Sequence, residues 1–152
     1  IDKLLDALAA LRAIKLPVDA VLGASTMNIG TIQGGRAPNV IADYARAEIL
    51  IRLVDDGVST KAAVQAACEG LAEAVEVLCL PAIRMEAVEG IETTVVSYTT
   101  DIPAFGGAWG RPLLLGPGTI HVAHTSEERV PKRELEAAVD LYAHMVRRLL
   151  TA

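Results

Sequence analysis

Three histidines are the residues of this sequence best suited to metal or acid–base chemistry, and one of them has a suggestive setting. His124 follows the glycine loop Gly116-Pro117-Gly118 and precedes the acid pair Glu127-Glu128. A glycine loop lets the backbone approach a ligand closely, and an acidic neighbour can orient an imidazole toward a metal ion. By residue type alone, however, a loop histidine is more often a hydrogen-bonding residue than a metal ligand.

The other two histidines are weaker candidates. His121 and His124 form a His-x-x-His spacing. On a strand, positions i and i+3 point to opposite faces, so both rings reach one metal ion only if the segment turns. His144 lies in a C-terminal helix pattern and is predicted to be a surface or half-buried residue.

Helix and strand patterns alternate in the first half of the chain. Apolar residues at helical spacing over residues 1–11 predict a helix. Residues 25–33 predict a strand, and strict alternation over residues 41–54 predicts a second strand with one packed and one polar face. A stripe over residues 64–75 predicts a second helix, and residues 75–80 predict a third strand. One further strand in front of this order gives βαββαβ, the ferredoxin-like α+β arrangement.

The second half of the chain has a different character. Short apolar runs predict strands at residues 95–98 and 113–115. A final helix is predicted to begin with Pro131 at its first position and to carry one apolar face, made of Leu135, Val139, Tyr142, Val146 and Leu149. We therefore place a domain boundary after residue 88, which gives the domains 1–88 and 89–152.

The succession of motifs around His124 resembles the C-terminal part of a known enzyme family. This is the zinc-dependent aminoacylase and carboxypeptidase family (metallopeptidase family twenty) that includes acetylornithine deacetylase and succinyl-diaminopimelate desuccinylase. Its members show Gly-Pro-Gly, then Ala-His-Thr, an acidic pair and a final helix, which correspond to residues 116–118, 123–125, 127–128 and 131–150. The histidine of this motif is a zinc ligand in the family, so the resemblance assigns His124 as a metal ligand.

A second motif looks like the lid, or dimerisation, domain of the same enzymes. Gly34-Gly35 is followed by Pro38-Asn39-Val40-Ile41 and, thirteen residues after Asn39, by Arg52. The resemblance implies that Asn39 and Arg52 reach the carboxylate end of the substrate, often in the active site of the partner subunit. A guanidinium suits this task because it binds a carboxylate through two parallel hydrogen bonds. The structural alternative is that Asn39 only starts a strand and Arg52 pairs with Glu48.

A third motif, the turn Tyr98-Thr99-Thr100-Asp101, resembles the family's Thr-Asp turn beside the substrate. By residue type alone it is an ordinary capped turn, which is the structural alternative. The resemblance thus implies that Thr99, Thr100 and Gly116 contact the substrate. The implied fold class is α/β: a ferredoxin-like α+β lid, an antiparallel sheet with two helices, followed by the last strands and helix of an α/β zinc-hydrolase catalytic domain.

The resemblance also implies groups that this sequence does not show. Family members bind two divalent metal ions, with zinc expected and cobalt or manganese as alternatives, and four of the five ligands precede the lid. The general base also precedes it, so we assign no catalytic residue here. We expect the lid to lack its first strand, and an N-terminal remainder of the catalytic domain to complete the site. By itself the chain is then expected to be inactive.

The implied function is part of a metal-dependent hydrolase that cleaves the amide bond of an N-acylated amino acid or small peptide. A deacetylase, desuccinylase or carboxypeptidase fits this description, and we expect a homodimer joined through the lid. The alternative is a non-catalytic ferredoxin-like module for dimerisation or binding.

Composition limits the other partners. The formal net charge of −5 argues against nucleic acid or an anionic membrane as partner, because both attract a basic face. No apolar run approaches a membrane span, and we see no secretory leader. Cys68 and Cys79 are predicted to be buried free thiols, which suits a cytoplasmic location.

Overall fold

A computed structural model describes residues 1–151 of the chain and contains two compact units. One unit is made of residues 1–84 and 94–103, and the other of residues 85–93 and 104–151. The elements of the first are helices α1 (Asp2–Arg12) and α2 (Val58–Cys68) and strands β1 (Val18–Asp19), β2 (Gly23–Ala24), β3 (Thr26–Gly34) and β4 (Ala45–Arg52). The long helix of the second unit is α3 (Lys132–Leu150).

The main sheet of the first unit is the antiparallel hairpin of β3 and β4, as the sequence predicts. Thr26 pairs with Arg52 at one end and Gly34 with Ala45 at the other. Exposure alternates along all of β4, which confirms one packed and one polar face. A bulge at Gly30 shifts the register of β3, so that Ile32 pairs with Ala47, although its side chain remains exposed.

The core of this unit forms where the two helices cover the hairpin. Leu8 and Leu11 of α1 and Cys68 of α2 are buried together. Half-buried side chains of both strands pack against them, namely Met27, Ile29, Ala47 and Ile49. Burial raises the pKa of the Cys68 thiol, so this cysteine stays protonated and unreactive.

A small hairpin of β1 and β2 precedes the main sheet. Asp19 accepts hydrogen bonds from the backbone N–H groups of Leu22 and Val21 and pairs with Arg84 at 2.6 Å. These contacts hold the pKa of Asp19 below its usual value, the two backbone hydrogen bonds first. Arg84 is 65 residues away in the sequence, so this ion pair connects the small hairpin to the last residue of the segment 1–84.

Three predicted strands are wrong. Residues 75–80, 95–98 and 113–115 join no β-ladder within the described part of the chain. The apolar runs are present, but a strand needs a partner that offers its backbone groups. Helix α2 is also shorter than predicted, since it ends at Cys68 and leaves residues 71–75 outside it.

The second unit is organised around α3. The helix begins at Lys132 with Pro131 at the N-cap, one position earlier than predicted for the proline. Two short 3-10 helices, Ile102–Phe105 and Ile120–Val122, flank the glycine loop in sequence. Among residues 1–151, no helix has the length and apolar character that crossing a membrane requires.

The predicted fold class, an α+β arrangement of antiparallel strands and helices, is confirmed. The domain boundary after residue 88 stays a prediction. Cys68 is buried as expected, but Cys79 is exposed, because residues 75–80 do not enter a sheet.

Candidate functional site

His124 has an unusual backbone conformation. Its φ of 60° is the only positive value at a non-glycine residue in the described chain. This left-handed region costs energy for most side chains, although histidine tolerates it better than many, and such strain persists mainly where function requires it. The side chain of His124 is exposed, and its backbone N–H donates to Glu128 Oε2 at 3.0 Å. Glu128 therefore fixes the turn that presents the imidazole.

The segment before His124 turns, which is the condition for His121 and His124 to approach one ion. Thr119 Oγ1 accepts from the His121 N–H at 3.3 Å and caps the 3-10 helix Ile120–Val122. Even so, residues 1–151 contain no group of three His, Cys, Asp or Glu side chains placed to hold a metal ion. A metal site that used His124 would therefore need ligands besides those that residues 1–151 place near it.

The glycine loop offers accessible backbone close to this histidine in sequence. A Cβ at Gly116 would meet nothing within 4 Å, so a ligand can approach its backbone without hindrance. Gly118 has a φ of +90°, and its N–H donates to Glu134 Oε2 at 3.0 Å. Glu134 was not among the residues predicted from the sequence, although an acid three residues after a helix-starting proline is a visible signal.

Arg52 is exposed at the end of β4 on its polar face. Glu48, its expected partner under the structural alternative, is bound by Arg46 at 2.7 Å instead. Within residues 1–151 Arg52 forms no ion pair of its own, so its guanidinium is available for an external carboxylate.

Asn39 lies in a turn at the opposite end of the same hairpin. The loop extends beyond the last strand pair, Gly34 with Ala45, and an ion pair between Arg36 and Asp43 at 2.5 Å bridges it. Arg52 is seven residues from that end of β4, which corresponds to roughly 24 Å at about 3.4 Å per residue. Asn39 and Arg52 of one chain therefore lie at opposite ends of the hairpin.

The two threonines of the predicted substrate turn have different settings. Thr99 is exposed, whereas Thr100 is half-buried and its Oγ1 accepts from the Ile102 N–H at 3.3 Å. Thr100 thus caps the 3-10 helix Ile102–Phe105, a structural role that leaves its hydroxyl proton free to donate. These threonines lie in the first unit with Asn39 and Arg52, while Gly116 and His124 lie in the second.

Comparison with known proteins agrees with this organisation. Residues 1–77, just over half of the chain, match the family model of the peptidase dimerisation domain of M20 proteins. This match covers α1, the main hairpin and α2, the same elements that form the core of the first unit. The chain belongs to the M20 peptidase family.

Curated relatives extend the similarity beyond that domain. The chain is 34% identical over 133 residues to a peptidase M20 domain-containing protein of Schizosaccharomyces pombe, covering 86% of this chain and 33% of the relative. It is 36% identical over 160 residues to a protein of the same name from Sordaria macrospora, covering 93% and 34%. A protein named "Probable carboxypeptidase" from Ajellomyces dermatitidis is 33% identical over 147 residues, covering 86% and 34%.

The chain spans about a third of the length of these relatives. No solved structure shows a significant match to it.

Proposed function

We propose that the complete protein containing this chain is a metal-dependent hydrolase that cleaves the amide bond of an N-acylated amino acid or small peptide. The observation that carries the proposal is His124: an exposed imidazole on a strained, left-handed backbone that a carboxylate holds in place. Membership of a peptidase family and the carboxypeptidase name of a relative support the reaction class.

His124 supplies one of the ligands for two divalent metal ions, zinc being the first candidate. When bound, such ions activate water and polarise the amide carbonyl. Residues 1–151 offer one ligand and no assigned general base, so the remaining groups come from the rest of the catalytic domain. The 152-residue chain alone is then expected to hydrolyse no acylated amino acid, even with added zinc.

Arg52 and Asn39 bind the carboxylate end of the substrate in this proposal, and their positions at opposite ends of the hairpin support a role for each in a different site. Because they lie at opposite ends of β4, one chain serves two substrate molecules with these residues. A homodimer joined through the lid satisfies this arrangement, since each subunit then contributes one of the residues to its partner's site. Thr99 and Thr100 in the first unit, and separately the exposed backbone of Gly116 in the second, are further candidates for substrate contact.

Two free cysteines, one of them exposed, support a reducing cytoplasmic location for the protein.

The second candidate function is a dimerisation module without catalysis. The match of residues 1–77 to a dimerisation domain favours it, since association alone is what that description states.

The decisive experiment replaces His124 in the complete protein by Ala and, separately, by Gly. Both variants should lose about one equivalent of bound metal and at least ~100-fold in turnover, because loss of a direct ligand exceeds the 10–100-fold typical of residues behind the ligands. His124→Gly should also be more stable than His124→Ala by about 1 kcal/mol, because glycine adopts a φ of 60° without strain. Metal analysis, kinetics and thermal unfolding measure the three effects.

His144→Ala is the matched control, since His144 is an exposed histidine on α3. It should keep its metal and its activity. If both His124 variants retain two metal ions and full turnover, the ligand role is wrong. A protein that binds no metal and cleaves no acylated amino acid, yet dimerises, would support the association module.

A further inference from the structure

The first turn of α3 contains a carboxylate whose usual local partner is missing. Glu134 is the third helical residue after the N-cap Pro131. A glutamate at this position normally reaches back to the N–H of the N-cap residue, but proline has none. Glu134 instead accepts the Gly118 N–H at 3.0 Å. The start of α3 is therefore connected directly to the end of the glycine loop.

A second side chain of α3 holds the other end of the same loop. The Tyr142 hydroxyl donates to the backbone oxygen of Leu115 at 3.0 Å. Tyr142 and Glu134 are eight residues apart, about 12 Å along the helix. Between their two contacts lie Gly116 and Pro117, so the loop is held on both sides against one rigid element.

The chain from this loop to His124 is short and hydrogen-bonded throughout. Thr119 caps the 3-10 helix Ile120–Val122, and the Ala123 N–H donates to Ile120 O at 3.1 Å. Thr125 Oγ1 donates to Val122 O at 2.7 Å, and Glu128 accepts the His124 N–H. Because hydrogen bonds hold the segment between them, a displacement of Gly118 also displaces His124.

We propose that Glu134 and Tyr142 are positioning residues for the metal ligand His124. They fix the Leu115–Gly118 loop on α3, and through it the direction from which the imidazole approaches the ion. The inference rests on the proposed function for its metal-binding consequence, whereas the fixing of the loop is independent of it.

The loop itself is tested in the complete protein without metal. Hydrogen–deuterium exchange of the peptide covering residues 115–124 should rise by about tenfold in Glu134→Ala and in Tyr142→Phe, since each removes one contact. Glu134→Gln should exchange nearly as the original protein does, because the amide oxygen still accepts the Gly118 N–H. Glu136→Ala, an exposed acid on the same helix, is the control and should change nothing.

The consequence for the site is tested by metal affinity. Glu134→Ala and Tyr142→Phe should bind zinc 10- to 100-fold more weakly, with Glu134→Gln restoring most of the affinity. Faster loop exchange with unchanged zinc affinity, in a protein whose His124→Ala variant does lose metal, would overturn the positioning role and leave the proposed function intact. Unchanged exchange in both variants would show that α3 does not fix the loop. If His124→Ala keeps its metal, the proposed function fails while the exchange result still stands.

Discussion

Arg46 and Arg52 project from the same polar face of β4, yet their surroundings differ. Arg46 binds Glu48, two residues away on that face, whereas Arg52 forms no ion pair in the described part of the chain. Exposed ion pairs such as Arg46–Glu48 contribute little to stability. The contrast makes the two arginines a matched pair for separating substrate binding from folding.

Arg52→Ala in the complete protein should raise KM and lower kcat/KM while leaving the melting temperature nearly unchanged. The side chain is exposed, so its loss leaves no cavity, and lost charged hydrogen bonds to a carboxylate cost about 1.5–3 kcal/mol. Arg52→Lys should have KM and kcat/KM values between those of the original protein and of Arg52→Ala, because an ammonium cannot form the bidentate contact. Arg46→Ala, the control, should alter neither quantity appreciably. An unchanged KM together with a lower melting temperature would assign Arg52 to stability.

Single residues show what local sequence can and cannot reveal. The glycine loop, the acid after His124 and the alternation around Arg52 were visible as sequence patterns, because each depends on near neighbours. The positive φ of His124 and the Arg46–Glu48 pairing were not, since residue types do not specify which conformation or partner prevails. Cys79 was predicted to be buried on the strength of its apolar neighbours and is exposed.

At the scale of elements, success followed the strength of the periodicity. Helices α1 and α3 and the β3–β4 hairpin have regular patterns of apolar and polar residues, and all were predicted. The segment 75–80 has the apolar residues of a strand, yet it is held only by other contacts. Lys61 pairs with Glu76 at 2.9 Å, and the Ala82 N–H donates to Asp55 O. Its place beside α2 depends on these specific contacts, which composition does not disclose.

Gly57, directly before α2, lies close to this segment. Its φ is +78°, and an added Cβ would lie 2.7 Å from Leu53 Cδ1 and 3.1 Å from Cys79 Sγ. Gly57→Ala should therefore destabilise the protein by about 2–3 kcal/mol, through backbone strain and overpacking together.

Gly70 provides the comparison, since its φ is +72° but nothing lies within 4 Å of an added Cβ. Gly70→Ala should cost about 1 kcal/mol from backbone strain alone. Chemical denaturation of both variants measures the difference. Equal losses of stability would mean that the close approach of Cys79 to Gly57 does not exist in solution.

At the scale of the whole molecule, the hairpin sheet has two free edges of different character. Within residues 1–151, β3 and β4 pair only with each other. β4 carries Arg46, Glu48 and Arg52, whereas β3 has no charged residue over its nine positions. Charged side chains on an edge strand oppose pairing with another chain, and β3 has none of that protection. This difference assigns the subunit contact of the proposed homodimer to β3.

The complete protein should therefore be a dimer at micromolar concentration, joined through the β3 edges of two subunits in an isologous contact.

The double variant Asn28→Lys/Thr31→Lys tests this contact. It places two positive charges on β3, on the exposed face that also carries Leu50 and Glu48. In the dimer these charges would repel the same two charges on the β3 strand of the other subunit. The double variant should shift the protein to monomers in light scattering. Leu50→Lys puts a single positive charge on the same face of the sheet, on β4 opposite Asn28 and away from the β3 edge, and should leave the dimer intact. Under the proposed division of Asn39 and Arg52 between two sites, the monomeric variant should also lose activity, even though neither residue was changed. A monomer mass for the original protein would contradict the dimer itself, and dissociation by Leu50→Lys alone would assign the contact to the sheet face.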